Sequence, residues 1–202
     1  MKKPVLLAAA LVFLLCFAAY LGTLNSAFRA DDSPETIAAS VTLGIQHPPA
    51  YPLQTLVGRI FSFLPLGSPA FRINILAAFF GALTCALLVL GLGTWLLGSG
   101  ASFAAAISAS AVAGLVLGLS KTFWSQCLAA KGGIYTLHSA CMAGLLLCLL
   151  RWAQEREAST GQAALSGQSL LDPRWSRLAV LLFAVSFGNH WETQALIVPA
   201  TG

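Results

Sequence analysis

Residues 28–52 read FRADDSPETIAASVTLGIQHPPAYP. Three of the seven acids in the chain, Asp31, Asp32 and Glu35, stand within five residues of one another, and His47 follows in a proline-rich turn. This is the longest polar interruption between two apolar runs, residues 4–24 and 70–97. Each run exceeds the ~20 helical residues that cross a bilayer core. In lipid a spanning segment must satisfy its own backbone, so the two runs read as helices with the polar stretch held between them at a membrane surface.

Within the loop the local signals are those of helices. Ser33 before Pro34, with Glu35 in the first turn, marks a helix start. Gly44 marks a stop, so a short helix is expected over residues 34–43, with Asp31 and Asp32 just ahead of it. Pro48 and Pro49 cannot continue a helix, because each lacks a donor and fixes its backbone. Over residues 53–64, Leu53, Leu56, Val57, Ile60, Phe61 and Leu64 recur at helical spacing, and Gln54, Thr55, Arg59 and Ser62 take the other face. The segment is too short to span, so it reads as an amphipathic helix in the interface plane.

Composition agrees with a membrane location. Hydrophobic residues make up 57% of the 202 and charged ones 9%, and mean hydropathy is +0.80. A soluble domain carries about 25% charged residues, so this chain lacks the means to cover a water-facing surface. A net charge of +4 needs no nucleic-acid partner, since Lys and Arg commonly flank spans and meet anionic lipid. The five cysteines form no CxxC pair and no metal-ligand spacing, and read as small apolar packing residues.

The expected fold class is all-α, a polytopic transmembrane helical bundle of about five spans, with a short extracytoplasmic helix and an interfacial amphipathic helix in the first loop. The spans are residues 4–24, 70–97, 101–119, 134–152 and 178–199. The first run is longer than the core of a signal peptide and reads as an uncleaved span, its N-terminus placed in the cytoplasm by Lys2 and Lys3. Residues 25–69 form the extracytoplasmic loop and residues 153–177 a cytoplasmic connector. Residues 101–119 are rich in Ala, Ser and Gly, which suits close helix packing. The outer face then collects the first loop, residues 120–133, and Asn189, His190 and Glu192 at the end of the fifth span.

Several runs taken together resemble one family. They are Asp32-Ser33-Pro34-Glu35, the run from Thr42 through Gly44-Ile45-Gln46-His47-Pro48-Pro49-Ala50-Tyr51-Pro52 to Leu53, Phe71-Arg72-Ile73-Asn74, Thr122-Phe123-Trp124-Ser125-Gln126, Ile134-Tyr135-Thr136-Leu137-His138 and Gly188-Asn189-His190. In this order the chain resembles the domain-of-unknown-function branch of the GT-C membrane glycosyltransferases, related to transmembrane protein O-mannosyltransferases. The resemblance covers nearly the whole chain. It implies a single membrane domain that is the N-terminal module of a longer protein. It also implies transfer of a sugar, mannose among the candidates, from a polyprenyl-phosphate carrier to a hydroxyl acceptor such as protein Ser or Thr or a glycan. By resemblance Asp32 and Glu35 are the catalytic acids, and His47, Arg72 and His190 are positions that bind substrate or phosphate. No protein-held metal is implied with certainty, although a divalent cation is compatible with the chemistry. The implied home is a bacterial inner (plasma) membrane, with the active face extracytoplasmic and membrane lipid as a partner. One departure is plain: the family carries an acid shortly before the Tyr-Thr-Leu run, and here Lys131-Gly132-Gly133 stands there.

The residues suit that chemistry. A carboxylate at a membrane–water boundary can take the proton of an acceptor hydroxyl, and a helix N-terminus just beyond Asp32 favours its ionised form. Arg59, Arg72, Lys121 and His47 are cationic or hydrogen-bonding groups for a departing phosphate. The same residues have plainer readings: the acids favour a helix start, Arg72 snorkels to headgroups, and His138 is hydrogen-bonded within a span. A polar pair such as Asn189-His190 near a span end is costly to bury, which marks it as a functional candidate. The competing class is a non-catalytic membrane protein, a transporter subunit or assembly scaffold, or an inactive truncated fragment. A transporter would place polar groups near mid-bilayer on paired broken helices, whereas here they gather at one face.

Overall fold

The computed structural model describes residues 3–163 and 173–195, and within them the chain is helical. In chain order the helices are α1 (Lys3–Thr23), α2 (Ser33–Thr42), α3 (Pro52–Ser62), α4 (Pro69–Gly98), α5 (Phe103–Leu119), α6 (Lys121–Gln126), α7 (Gly132–Ala163) and α8 (Pro173–Ala195). Among the described residues three helices are long and apolar enough to cross a membrane: Lys3–Thr23, Pro69–Gly98 and Gly132–Glu157. Of the other two expected spans, α5 is apolar but has 17 residues, about 26 Å of helix against a core of about 30 Å. The last, α8, carries Asn189, His190 and Glu192 in its final turns, and residues 196–199 of the expected span lie outside the described residues.

Packing is organised around α4, which touches α1, α5 and α7, while α8 lies against α7. Ala9, Val12, Cys16 and Tyr20 of α1 interlock with Ala78, Ala82, Cys85, Ala86 and Val89 of α4 and with Cys127. Lipid tails are as apolar as these side chains, so close backbone approach through small residues, rather than expulsion of water, holds the helices together. The five cysteines are free and buried, as their apolar surroundings in the sequence suggest. The one large polar tip in this core, the Tyr20 hydroxyl, donates to the Gly118 carbonyl at 2.8 Å. Leu7, Leu11, Leu14 and Leu15 of α1 face outward, as a lipid-facing surface requires.

The loop helices pack the other way round. On α3 the buried residues are Gln54, Thr55, Gly58 and Ser62, whereas Leu56 and Ile60 are 59% and 68% exposed. Its polar side meets Thr36 and Ser40 of α2. Thr36 donates to Gln46 Oε1 at 3.0 Å and Gln46 donates to Thr55 at 3.1 Å, a buried hydrogen-bonded chain between the two helices. Gly58 is required at the crossing, because a Cβ there would lie 2.3 Å from Ser40 Oγ. The outward apolar side continues into the bundle: the Phe61 ring lies 6.0 and 6.2 Å from Phe79 and Phe80, and Phe79 meets Phe13 and Phe17 of α1.

Three boundaries differ from expectation for physical reasons. The residue at the N-cap of α2 is Asp32, and the first N–H is held by its neighbour, Asp31 Oδ1 accepting from Ser33 N at 2.8 Å. The left-handed residue ending α2 is Leu43, at φ 56°, and Gly44 N–H then reaches back to Ala39 O at 3.0 Å, so the glycine stands one position later than expected. Helix α7 does not stop near Trp152. Its charged continuation is rich in helix-forming Ala, Gln, Glu and Arg, and Arg151 pairs with Glu155 one turn on, at 3.7 Å.

Candidate functional site

The three outer segments singled out in the sequence meet at one end of the bundle. Asn74, fully buried in the second turn of α4, donates to the carbonyls of Asn25 and Ala27 at 2.8 and 2.9 Å and so fixes the loop's first residues. Asn25 in turn donates to Leu128 O at 2.9 Å. Trp124 of α6 donates to Thr23 at 3.0 Å and packs edge-on against Tyr20. These bonds bring the α6–α7 turn against the start of α2.

There Lys131 Nζ forms an ion pair with Asp32, and Lys131 N–H donates to Ser33 Oγ at 3.2 Å. Side-chain exposures of 33% and 42% leave the pair open to water, so by itself it adds about 1 kcal/mol or less. Gly132 makes the turn possible, since a Cβ there would sit 1.8 Å from Gln126 O. The hydrogen bond to Asp32 holds the Lys131 ammonium above its usual range. Burial pushes the Asp31 carboxyl up, but hydrogen bonds from Ser33 and the charge of Arg29, at 3.5 Å, outweigh it and leave its pKa lowered. Beside these ion pairs lies a cavity of about 330 Å³, with Arg29, Asp31, Ser125, Gln126, Lys131 and Tyr135 in its walls.

Glu35 is engaged at both oxygens by one residue. Its Oε1 accepts from His47 N–H at 2.6 Å, and its Oε2 contacts His47 Nδ1 at 2.6 Å. The turn that follows, with a cis Pro48–Pro49 bond and left-handed Ala50 and Tyr51, carries the Tyr51 ring between His47 and His190, at 6.2 and 6.1 Å. His190 marks a break in α8, where its φ of −144° leaves the helical region. Its ring also faces Tyr135 and His138, at 6.1 and 5.6 Å, and Thr193 Oγ1 lies 3.0 Å from a nitrogen of each histidine. Asn189, 2% exposed, ties this end of α8 to α7 by donating to Ile134 O at 2.6 Å. All three histidines of the chain thus lie in one string from Glu35 to the start of α7.

Four of the five expected site residues, Asp32, Glu35, His47 and His190, are therefore gathered at this end. Arg72 is engaged elsewhere: its guanidinium donates to the carbonyls of Ser62, Leu66 and Gly67 and ties the α3–α4 turn. Arg59 likewise donates to Val41 O and stacks over Phe63. Lys131, Arg29, Tyr51 and Tyr135 belong to the site and were not among its expected residues. Among the described residues no three His, Cys, Asp or Glu side chains converge as a metal cage.

A family model described as the protein O-mannosyl-transferase TMEM260 N-terminal domain matches residues 32–202. The chain belongs to this family. It is 41% identical over 78 residues to protein O-mannosyl-transferase TMEM260 of Mus musculus, a match covering 38% of this chain and 11% of the mouse protein. It is 30% identical over 98 residues to protein O-mannosyl-transferase tmem260 of Dictyostelium discoideum, covering 47% of this chain and 12% of that protein. The chain thus matches about a tenth of each relative's length. No solved structure matches it. Asp32, Glu35, His47, Lys131 and His190 all fall inside the TMEM260 N-terminal domain match, while Arg29 and Asp31 lie just before it.

Proposed function

We propose that the chain forms the membrane-surface site of a GT-C-type glycosyltransferase that moves a sugar, mannose in the leading case, from a polyprenyl-phosphate carrier to a hydroxyl on protein. The membership of the TMEM260 N-terminal domain family, whose relatives are named as protein O-mannosyl-transferases, supports the reaction class. The observation that carries the reading is the meeting of Asp32, Lys131, the Glu35–His47 pair and His190 at one end of a membrane bundle. In the proposed reaction the Asp32 carboxylate takes the proton of the acceptor hydroxyl as its oxygen attacks the anomeric carbon. The bond from that carbon to the carrier phosphate breaks, and the electron pair leaves with the phosphate, which cations stabilise. Glu35 is a positioning residue: with both oxygens on His47 it sets the His-Pro-Pro turn rather than meeting the acceptor. The outward apolar side of α3 gives the carrier's tail a surface continuous with the bundle. The site faces the extracytoplasmic side of the membrane, a bacterial inner membrane in the simplest case.

The test is transfer of labelled mannose from a polyprenyl-phosphate donor to a Ser/Thr peptide by the full-length protein. Loss of a general base costs about 10²–10⁴-fold in rate, so Asp32→Asn is expected to fall by that factor with its melting curve unchanged. Transfer at the native rate by folded Asp32→Asn removes Asp32 from the chemistry.

A further inference from the structure

The cavity beside the Asp32–Lys131 pair has no part in the proton transfer just described. Its walls come from two segments far apart in sequence: Arg29 and Asp31 from the first loop, and Ser125, Gln126, Lys131, Gly132 and Tyr135 from α6, the turn after it and the start of α7. Its volume of about 330 Å³ is roughly ten times the ~30 Å³ share of one water, enough for a phosphate and a ring attached to it.

We propose that this cavity seats the phosphate of the donor, with Lys131 and Arg29 as its cations, and that Lys131 releases Asp32 as it turns to the phosphate. The inference rests on the reading of the chain as part of a phosphate-carrier transferase, and it names the phosphate site within that reading. Three observations carry it. The two cations come one from each of the two segments that line the cavity, so an anion seated there meets a charge from both. Both are partly exposed and weakly held: Lys131 pairs with Asp32, and Arg29 lies 3.5 Å from Asp31 and donates to Ser125 O at 3.4 Å. Such pairs exchange readily for a better anion, and a phosphate offers more negative charge and more acceptor oxygens than one carboxylate. The Lys131 ammonium has three donors on a flexible stem, so it can swing from Asp32 to a phosphate without moving the backbone that Ser33 Oγ and Gly132 fix. Two other cations of this face are engaged elsewhere: Arg72 by three carbonyls of the α3–α4 turn, and Arg59 by Val41 O and the Phe63 ring. When the cavity is empty Asp31, in its wall, and Asp32, beside it, balance the two cations. When a phosphate enters, Asp32 loses its counter-ion and is free to take a proton. The base is thereby released only with the donor in place, which guards the carrier against transfer to the wrong nucleophile.

The experiment is calorimetric titration of the full-length protein in detergent with two probes, citronellyl phosphate and inorganic phosphate. Lys131→Gln is expected to weaken phosphate binding by about tenfold, the worth of one charge-assisted hydrogen bond, with Lys131→Arg restoring most of it. Arg29→Gln is expected to weaken it several-fold, and Arg177→Gln, exposed at the start of α8 and so at the other end of that helix from His190, to leave it unchanged. Asp32→Asn is expected to act in the opposite direction and tighten binding several-fold, because the carboxylate that competes for Lys131 is gone. No binding by the native protein, native affinity in Lys131→Gln, or weakening by Asp32→Asn overturns the proposal. Equal affinity for the two probes marks a phosphate taken from water, and preference for citronellyl phosphate marks the membrane as its source; both sustain a phosphate site. Mannose transfer measured in parallel keeps the two readings apart. Transfer unaffected by Lys131→Gln sinks the cavity and spares the function, whereas phosphate binding with the expected pattern in a protein that transfers nothing sinks the function and spares the cavity.

Discussion

Glu35 shows how little of a residue's role lies in its type. It is the exposed acid of the first helical turn, where a carboxylate ordinarily serves the helix dipole, yet both its oxygens are turned onto His47. The hydrogen bonds from the His47 ring and backbone lower the Glu35 pKa. A lowered folded pKa means that the unfolded state binds the proton more readily, so this contact stabilises the turn fully above the ordinary Glu range near about 4.3 and is lost as pH falls through the lowered value. Protection of the His47 amide against hydrogen exchange is therefore expected to hold at pH 6 and to be lost in acid strong enough to protonate Glu35, below the ordinary Glu range. In Glu35→Ala it is expected to be absent at both, and equal protection in native and mutant protein at pH 6 would remove Glu35 from the turn. The sequence singled out Asp32, Glu35, His47 and His190 by the family resemblance of the runs they stand in, beside the acids, prolines and polar span end that are visible without a structure. It pointed away from Lys131, whose charge is opposite to the one looked for at that position. Only the closing of the Gln126–Gly132 turn onto the start of α2 shows that this charge meets Asp32. Arg72 is ambiguous in the sequence for another reason, since a guanidinium at a span end looks the same whether it waits for a phosphate or, as here, is bonded to three carbonyls.

At the scale of elements the loop helices carry the same lesson. The spacing of Leu53, Leu56, Val57, Ile60, Phe61 and Leu64 announces a helix whichever side is buried, because amphipathic periodicity is symmetric between inside and outside. Which face turns inward depends on the surrounding solvent. Here the small polar face packs on α2 and the apolar face stays outside, the arrangement lipid favours. The junction is tight at Gly58, where an added Cβ would meet Ser40 Oγ at 2.3 Å and Ser40 Cβ at 2.7 Å. Gly58→Ala is therefore expected to destabilise the loop by about 1–3 kcal/mol, the usual cost of overpacking, and to lower mannose transfer by displacing α3. Ser40→Gly on the Gly58→Ala background is expected to recover most of both. A thermal melt in detergent reads the first quantity, and a double mutant no better than the single would show that the α2–α3 crossing is not where the cost arises. The end of α7 was hidden from a reading by hydropathy for a related reason. Apolar character fades near Trp152, but helix-forming residues and the Arg151–Glu155 pair carry the backbone on.

Across the whole molecule, hydropathy made the bundle legible and left its closing contacts obscure. Long apolar runs account for α1, α4 and α7 without any knowledge of partners, since length and composition alone qualify a helix to cross a bilayer. The convergence of the loop, the α6–α7 turn and the end of α8 depends instead on single polar side chains, Asn25, Asn74, Trp124 and Asn189, each donating to a group on another element. Such long-range bonds leave no periodic trace in a sequence. They do impose a condition that an orientation measurement can check: everything tied by them lies on one side of the membrane, and the charged end of α7 lies on the other. The cysteines of the chain are buried, so a cysteine placed at an exposed site reports alone. Phe28, 64% exposed in the loop, and Glu157, exposed near the far end of α7, are suitable sites. In intact cells a membrane-impermeant maleimide is expected to label Phe28→Cys at once and Glu157→Cys only after permeabilisation. The reverse pattern would put Asp32 and Lys131 in the cytoplasm and overturn the extracytoplasmic site, whereas labelling of both positions in intact cells would show that α7 does not cross.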